Sequence, residues 1–142
     1  MSATASNQPA CRALCVAPAL VDRFWPHVSA VIARAIARGN VSRFADLERA
    51  VLSGAALLWL AVDRDRIVAA AVTQLAATDT EKHCILVACA GARMRRWLSL
   101  IETIEAYARA EGCARVRIVG RTGWARMLAG YRTSRVILDR RL

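Results

Sequence analysis

The chain has 142 residues, 56% of them hydrophobic and only 6% aromatic, which excludes intrinsic disorder and predicts a core of small aliphatic side chains around four tryptophans. The formal net charge is +10, from 21 basic against 11 acidic residues; such a balance suits an anionic partner, or simply solvates the fold. The longest apolar run, residues 55–62, falls far short of the roughly 20 residues a bilayer crossing requires, so no membrane partner is expected.

Residues 1–10 read as a flexible tail and 11–142 as a single domain. The polar amino terminus lacks the charged and apolar regions of a signal peptide, so the expected location is cytoplasmic. Five cysteines, an odd number, point to reduced thiols in a core rather than to a disulfide framework. No metal is expected, because only His83 accompanies Cys84 and Cys89, short of four ligands at paired spacings.

In chain order, Arg12 to Val16 predicts a short strand. Trp25, Val28, Ile32 and Ile36 recur at helical spacing, with Arg34 and Arg38 outside and Pro26 expected in the first turn. Gly39-Asn40 ends that helix. Ser42 is placed to cap a second one that buries Phe44, Leu47, Val51 and Leu52 and stops at Gly54. Leu57 to Val62 and Ile67 to Gln74 form a hairpin about a polar connection, and Cys84 to Ala88 completes an antiparallel meander. These strands are almost continuously apolar, which predicts helices on both faces of the sheet.

After the break at Ala90-Gly91-Ala92, Trp97, Leu100, Ile101, Ile104 and Ala108 mark the buried face of a long helix. Glu102, Glu105 and Arg109 are assigned to its wet side, with Glu105 and Arg109 spaced for a charge pair. Gly112 ends the helix, and Val116 to Val119 form a strand reached by a parallel crossover. The predicted class is α/β (α+β): a mixed sheet, antiparallel first and parallel across this junction.

That order of elements, together with Ile104-Glu105-Ala106-Tyr107-Ala108, Gly112-Cys113 and Gly120-Arg121-Thr122-Gly123-Trp124-Ala125-Arg126, resembles the GCN5-related N-acetyltransferase (GNAT) superfamily. More narrowly, residues 97–142 resemble small GNAT-like proteins of tailed phages and prophages. The resemblance implies acetyl-CoA or coenzyme A as co-substrate. Its arm would bond to strand backbone around Val87 and Cys89. Its pyrophosphate would sit at the start of the long helix, near Gly91, Arg93, Met94, Arg95 and Arg96, where free amides and the helix dipole favour an anion.

Two departures bear on activity. The small residues of the family's phosphate loop fall on Arg95 and Trp97, which either block the site or replace backbone contacts with guanidinium contacts. The tyrosine that many members use as general acid falls on Arg126, which leaves Tyr131 as a packing or catalytic residue. Glu81 and His83 are candidates for a general base, with turn roles as the alternative. Cys84 and Cys89 lack an adjacent histidine that would activate them as nucleophiles.

Three functions follow as expectations. One is acyl transfer from acyl-CoA to an unidentified amine. Another is a catalytically inactive, phage-encoded accessory, virion-associated or host-directed protein of the same fold. The third, less favoured for want of a recognition motif, is nucleic-acid binding through the carboxyl-terminal half, where twelve arginines face four acids between Arg93 and Leu142.

Overall fold

The computed structural model describes residues 11–39, 43–91, 98–118, 128–133, 138 and 140–142. Five strands run β1 (Arg12–Cys15), β2 (Leu57–Asp63), β3 (Arg66–Ala77), β4 (Lys82–Gly91) and β5 (Arg115–Ile118), with helices α1 (Val21–Gly39) and α2 (Phe44–Ser53) after β1 and α3 (Leu98–Ala110) after β4. The strands are ordered as in the sequence. The first four are antiparallel, and β5 is parallel to β4. The mixed sheet with helices on both faces is therefore as expected.

Unbroken apolar strands reflect two buried faces. Leu58, Leu60, Ala70, Val72 and Ala88 join the apolar stripe of α1 and Leu47 and Val51 of α2 on one side. Trp59, Ala61, Ala69, Ala71, Cys84 and Leu86 join Leu100, Ile101, Ile104 and Ala108 of α3 on the other. Ile32 and Ile104 are fully buried at the centres of these layers. Truncating either to alanine carries a cost of about 2–5 kcal/mol.

Several local expectations are corrected. A 3-10 turn over Pro18–Leu20 leads directly into α1, so Pro26 lies inside the helix, in its second turn. The lost bond there would have used the Asp22 carbonyl; both residues are exposed, and water can satisfy that oxygen. Leu52, assigned above to the buried face of α2, is 51% exposed, because α2 turns its Leu47 and Val51 side inward. Arg43 is the N-cap of α2 and makes no side-chain cap bond; Ser42 lies outside the described residues.

Gly112 does end α3, at φ 78°, a left-handed conformation that lets the Cys113 amide return to the Ala108 carbonyl at 2.9 Å. Trp25 ties α1 to α2: its indole N–H donates to Glu48 at 2.8 Å, and its ring stacks on Phe44. Among the described residues, no helix is long and apolar enough to cross a membrane.

Two irregularities shape the sheet. Register slips by one residue between Ala61 and Val62 against β3, and again between Val72 and Thr73 against β4. The extra residues are Val68 and Val87. Val68 and Ala69 consequently face the same side, as do Val87 and Ala88. Such bulges twist a strand and end regular pairing.

Candidate functional site

Among the described residues, the parallel β4–β5 pairing spans His83 to Leu86 against Arg115 to Ile118. Beyond Leu86, β4 continues through Val87, Ala88, Cys89, Ala90 and Gly91, bonded to β3 on one edge only among the described residues. Five residues of strand span about 17 Å. A strand edge of this length suits a partner that is itself extended and amide-bearing. The bulge at Val87 follows directly on the last described β4–β5 pair, Leu86 with Ile118.

Of the residues assigned to cofactor binding, Val87 and Cys89 lie on this segment, Val87 facing the α1 side and Cys89 the α3 side. Gly91 ends it. A Cβ at Gly91 would stand 2.7 Å from the Ala69 Cβ and 2.9 Å from the Val68 carbonyl oxygen, so glycine there permits β4 to pass the first bulge. Arg93, Met94, Arg95 and Arg96 lie outside the described residues, as do Trp97, Trp124 and Arg126. Burial pushes the Cys89 thiol up to about 12, and burial with the nearby Cys113 pushes Cys84 to about 11. Neither is a thiolate nucleophile at neutral pH.

Glu81 and His83 are brought together, but at the closed end of the strand pair. The Arg115 Nε is 2.9 Å from Glu81 Oε1, and the buried His83 ring places Nδ1 3.6 Å from the same oxygen, beyond hydrogen-bond reach. His83 lies four residues, about 13 Å of strand, before Val87. The Lys82 ammonium closes the same end by donating to the Glu111 carbonyl at 2.9 Å.

Tyr131 packs against the α3 side of the core, and its hydroxyl donates to Glu105 Oε2 at 2.7 Å. Glu105 is therefore half-buried and engaged by a phenol, not turned to water as its helical position suggested. Burial, then the bond to Glu105 and its charge, hold the Tyr131 phenol well above its ordinary value. Tyr107 lies edge-on to Trp59 at 5.2 Å, and the Trp59 indole donates to Thr73 at 2.8 Å.

A pocket of about 210 Å3 lies between the 3-10 turn, the end of α2 and the start of β2. It is lined by Val16, Pro18, Val21, Val51, Leu52 and Ala56 among others, with no ionisable side chain among the described residues that line it. It is thus unsuited to the chemistry discussed for β4. Among the described residues, no three His, Cys, Asp or Glu side chains come together to hold a metal ion.

One feature of the site escaped sequence reasoning, the bulge at Val87.

The fold as a whole is similar to that of solved acetyltransferases. The model superposes on an aminoglycoside acetyltransferase from an uncultured soil metagenomic sample, in complex with sisomicin, with TM-score 0.70, 12% identity and coverage of 94% of this chain and 96% of that one. A GNAT family acetyltransferase of Staphylococcus aureus gives TM-score 0.65 at 10% identity, covering 94% and 99%. The chain has the GNAT fold.

A further match is a predicted acetyltransferase with acetyl-CoA from Clostridium acetobutylicum, at TM-score 0.63 and 9% identity, covering 92% of this chain and 96% of that one. No protein-family model matches the sequence, and no curated protein is similar to it. At these identities the likeness is one of fold, and a GNAT fold by itself leaves the reaction to be argued from the site.

Proposed function

We propose that this protein is an acyl-CoA-dependent N-acyltransferase. The observation that carries the reading is the stretch of β4 from Val87 to Gly91, which begins at a bulge and, among the described residues, pairs with β3 alone. Strand amides of this kind fit an extended pantetheine arm, which brings amides of its own, and the sequence from Arg93 to Arg96 holds three guanidinium groups suited to phosphates. Bound acetyl-CoA would supply an activated thioester: the acceptor nitrogen bonds to its carbonyl carbon, the C–S bond breaks, and the departing thiolate takes a proton. Main-chain groups of Val87, Cys89 and Gly91 orient the arm. Calorimetric titration with acetyl-CoA and coenzyme A tests this directly; absence of heat at millimolar ligand, with folding verified by circular dichroism, overturns it.

A second reading is favoured by one contact. The Tyr131 proton is engaged by Glu105, and Arg95 and Trp97 stand where the resembling family has small residues, so the same fold would serve as a non-catalytic accessory protein encoded by a phage. Recovery of the protein in purified particles, without acyl-CoA binding, would select this reading over the first.

A further inference from the structure

The charges of this chain are unevenly placed along its strands. The end of β1 at Val16, the start of α1 at Val21, the last turn of α2 and the start of β2 meet around the pocket described above. Both helices pack on the same face of the sheet, so the end of α1 and the start of α2 lie toward its other end. There β1 begins, with Arg12 opposite Val62, and β2 turns into β3, with Arg66 opposite Asp63. Arg34 stands thirteen residues, about 20 Å, along α1 from Val21, comparable with the roughly 17 Å of β2 from Leu58 to Asp63. Arg38 follows one turn later, Arg43 precedes α2, and Arg64 takes the hairpin turn at φ 57°. All six arginines are exposed, and none forms an ion pair among the described residues.

Little counter-charge accompanies them. Every acid of the chain except Asp139 is described. Asp63 and Asp65 stand at this end, and Asp46 nearby pairs with Arg49; Glu102 is on α3, across the sheet. Six arginines less two aspartates leave an excess of four positive charges. The opposite end is balanced, with Lys82 beside Glu111, Arg115 beside Glu81, and Arg23 next to Asp22.

The surroundings restrict the partner. From β1 to the end of β4 the surface is three strand spacings, about 14 Å, wide, too broad for a single pyrophosphate to cover. Leu20, Leu52 and Leu75 expose their apolar side chains at the opposite end, so the described residues here lack the apolar component of a bilayer-surface site. Phe44, the one aromatic residue described at this end, is stacked on Trp25, which leaves no free ring for unpaired bases. Arginine donates and does not accept, and no Ser, Thr, Asn or Gln is described at this end to engage the 2′-hydroxyls by which RNA duplexes are held.

We propose that the end of the sheet bearing Arg12, Arg34, Arg38, Arg43, Arg64 and Arg66 is a docking surface for the phosphate backbone of duplex DNA. Planar guanidinium groups match phosphate oxygens with paired hydrogen bonds. Contacts to phosphates alone carry no base readout, so binding is independent of sequence. This activity goes beyond acyl transfer, and neither requires the other. It also uses arginines other than those of the carboxyl-terminal half.

Fluorescence anisotropy with a labelled DNA duplex of about 20 base pairs, from about 50 to 200 mM salt, tests the surface. With about four phosphates engaged, the logarithm of the association constant should fall against the logarithm of salt with a slope of about −3.6. Arg38→Gln with Arg64→Gln, and separately Arg12→Gln with Arg43→Gln, should each make that slope shallower by about 1.8. Arg23→Gln with Arg109→Gln, which removes the same charge from the opposite end, should leave it unchanged, as should Arg140→Gln with Arg141→Gln. Circular dichroism verifies the fold of each variant.

Absence of binding at about 50 mM salt, or an equal loss of slope in either control pair, overturns the proposal. Equal or tighter binding of single-stranded DNA, an RNA duplex, polyglutamate or anionic phospholipid vesicles overturns it as well. So does a fall in acetyl-CoA affinity, read by calorimetry, in either variant pair at the docking end, since that assigns those arginines to the coenzyme. DNA binding as described by a wild-type chain that does not bind acetyl-CoA overturns the acyl-transfer reading and supports this one.

Discussion

The Tyr131 hydroxyl donates to Glu105 Oε2 across 2.7 Å, joining residues 26 apart in the sequence. This bond fixes the segment 128–133 against α3, while Leu128 of the same segment is buried in the α3-side layer. It also defines what the phenol is free to do.

Tyr131→Phe leaves the half-buried Glu105 carboxylate without its donor, and the expected loss is about 1–3 kcal/mol in urea unfolding. Glu105→Gln keeps an acceptor for the phenol and should cost less. With its proton committed to Glu105, Tyr131 is not expected to serve as general acid, so any transfer activity should survive Tyr131→Phe. A loss of about 100-fold or more in kcat would assign it that role.

The raised groups Cys84, Cys89 and Tyr131 give alkaline pH a definite effect. Unfolded thiols titrate near 8.5 and unfolded tyrosine near about 10, whereas in the fold Cys84 titrates at about 11, Cys89 at about 12 and Tyr131 above its ordinary value. The folded state therefore retains protons that the unfolded state loses. Stability from these groups is fully present below about pH 8.5 and declines as pH rises through the folded values. Urea midpoints measured from pH 7 to 10.5 should fall, and alanine at both cysteines should flatten the lower part of that decline. At pH 8, iodoacetamide should label Cys84 and Cys89 more slowly than in the denatured chain, as read by mass spectrometry.

Gly91→Ala forces a methyl group to within 2.7 Å of the Ala69 Cβ. Accommodating it requires β4 or the bulge at Val68 to shift, at a cost of about 1–3 kcal/mol. Adding Ala69→Gly removes one of the two nearest atoms and should recover part of the loss. The Val68 carbonyl oxygen, at 2.9 Å, sets the limit on that recovery. Equal stability of the single and double variants would show that the Ala69 methyl is not the obstacle.

Trp59 donates to Thr73 at 2.8 Å within the α3-side core. Trp59→Phe removes both the donor and part of the packed surface, and should destabilise by about 2–4 kcal/mol. Adding Thr73→Val, which removes the bereaved hydroxyl, should cost less than the two single changes summed; chemical denaturation of the four proteins measures the coupling.

The helices were legible because their apolar residues recur at one spacing, and the strand order because polar breaks at residues 63–66 and 78–82 divide three apolar runs. Those runs concealed the bulges. With both faces buried, Val68 through Val72 and Ile85 through Ala90 show no alternation whose interruption could be read. The exposure of Leu52 and the engagement of Glu105 were equally hidden, since each depends on what lies opposite its helix. Glu81 and His83 read as neighbours of a strand start, and β4 does begin at Lys82 between them. That both lie where β5 pairs with β4, beside Arg115, depends on a register no local pattern encodes.

The bulge at Val87 bears on the direction of β4. Leu86 and Ala88 stand opposite the consecutive residues Thr73 and Val72, so a chain without Val87 would keep every pairing with β3 and both packed layers. What it would lose is the added local twist of a bulged strand. One inserted residue thus re-aims the end of β4, from Ala88 to Gly91, while leaving each of its partners in place.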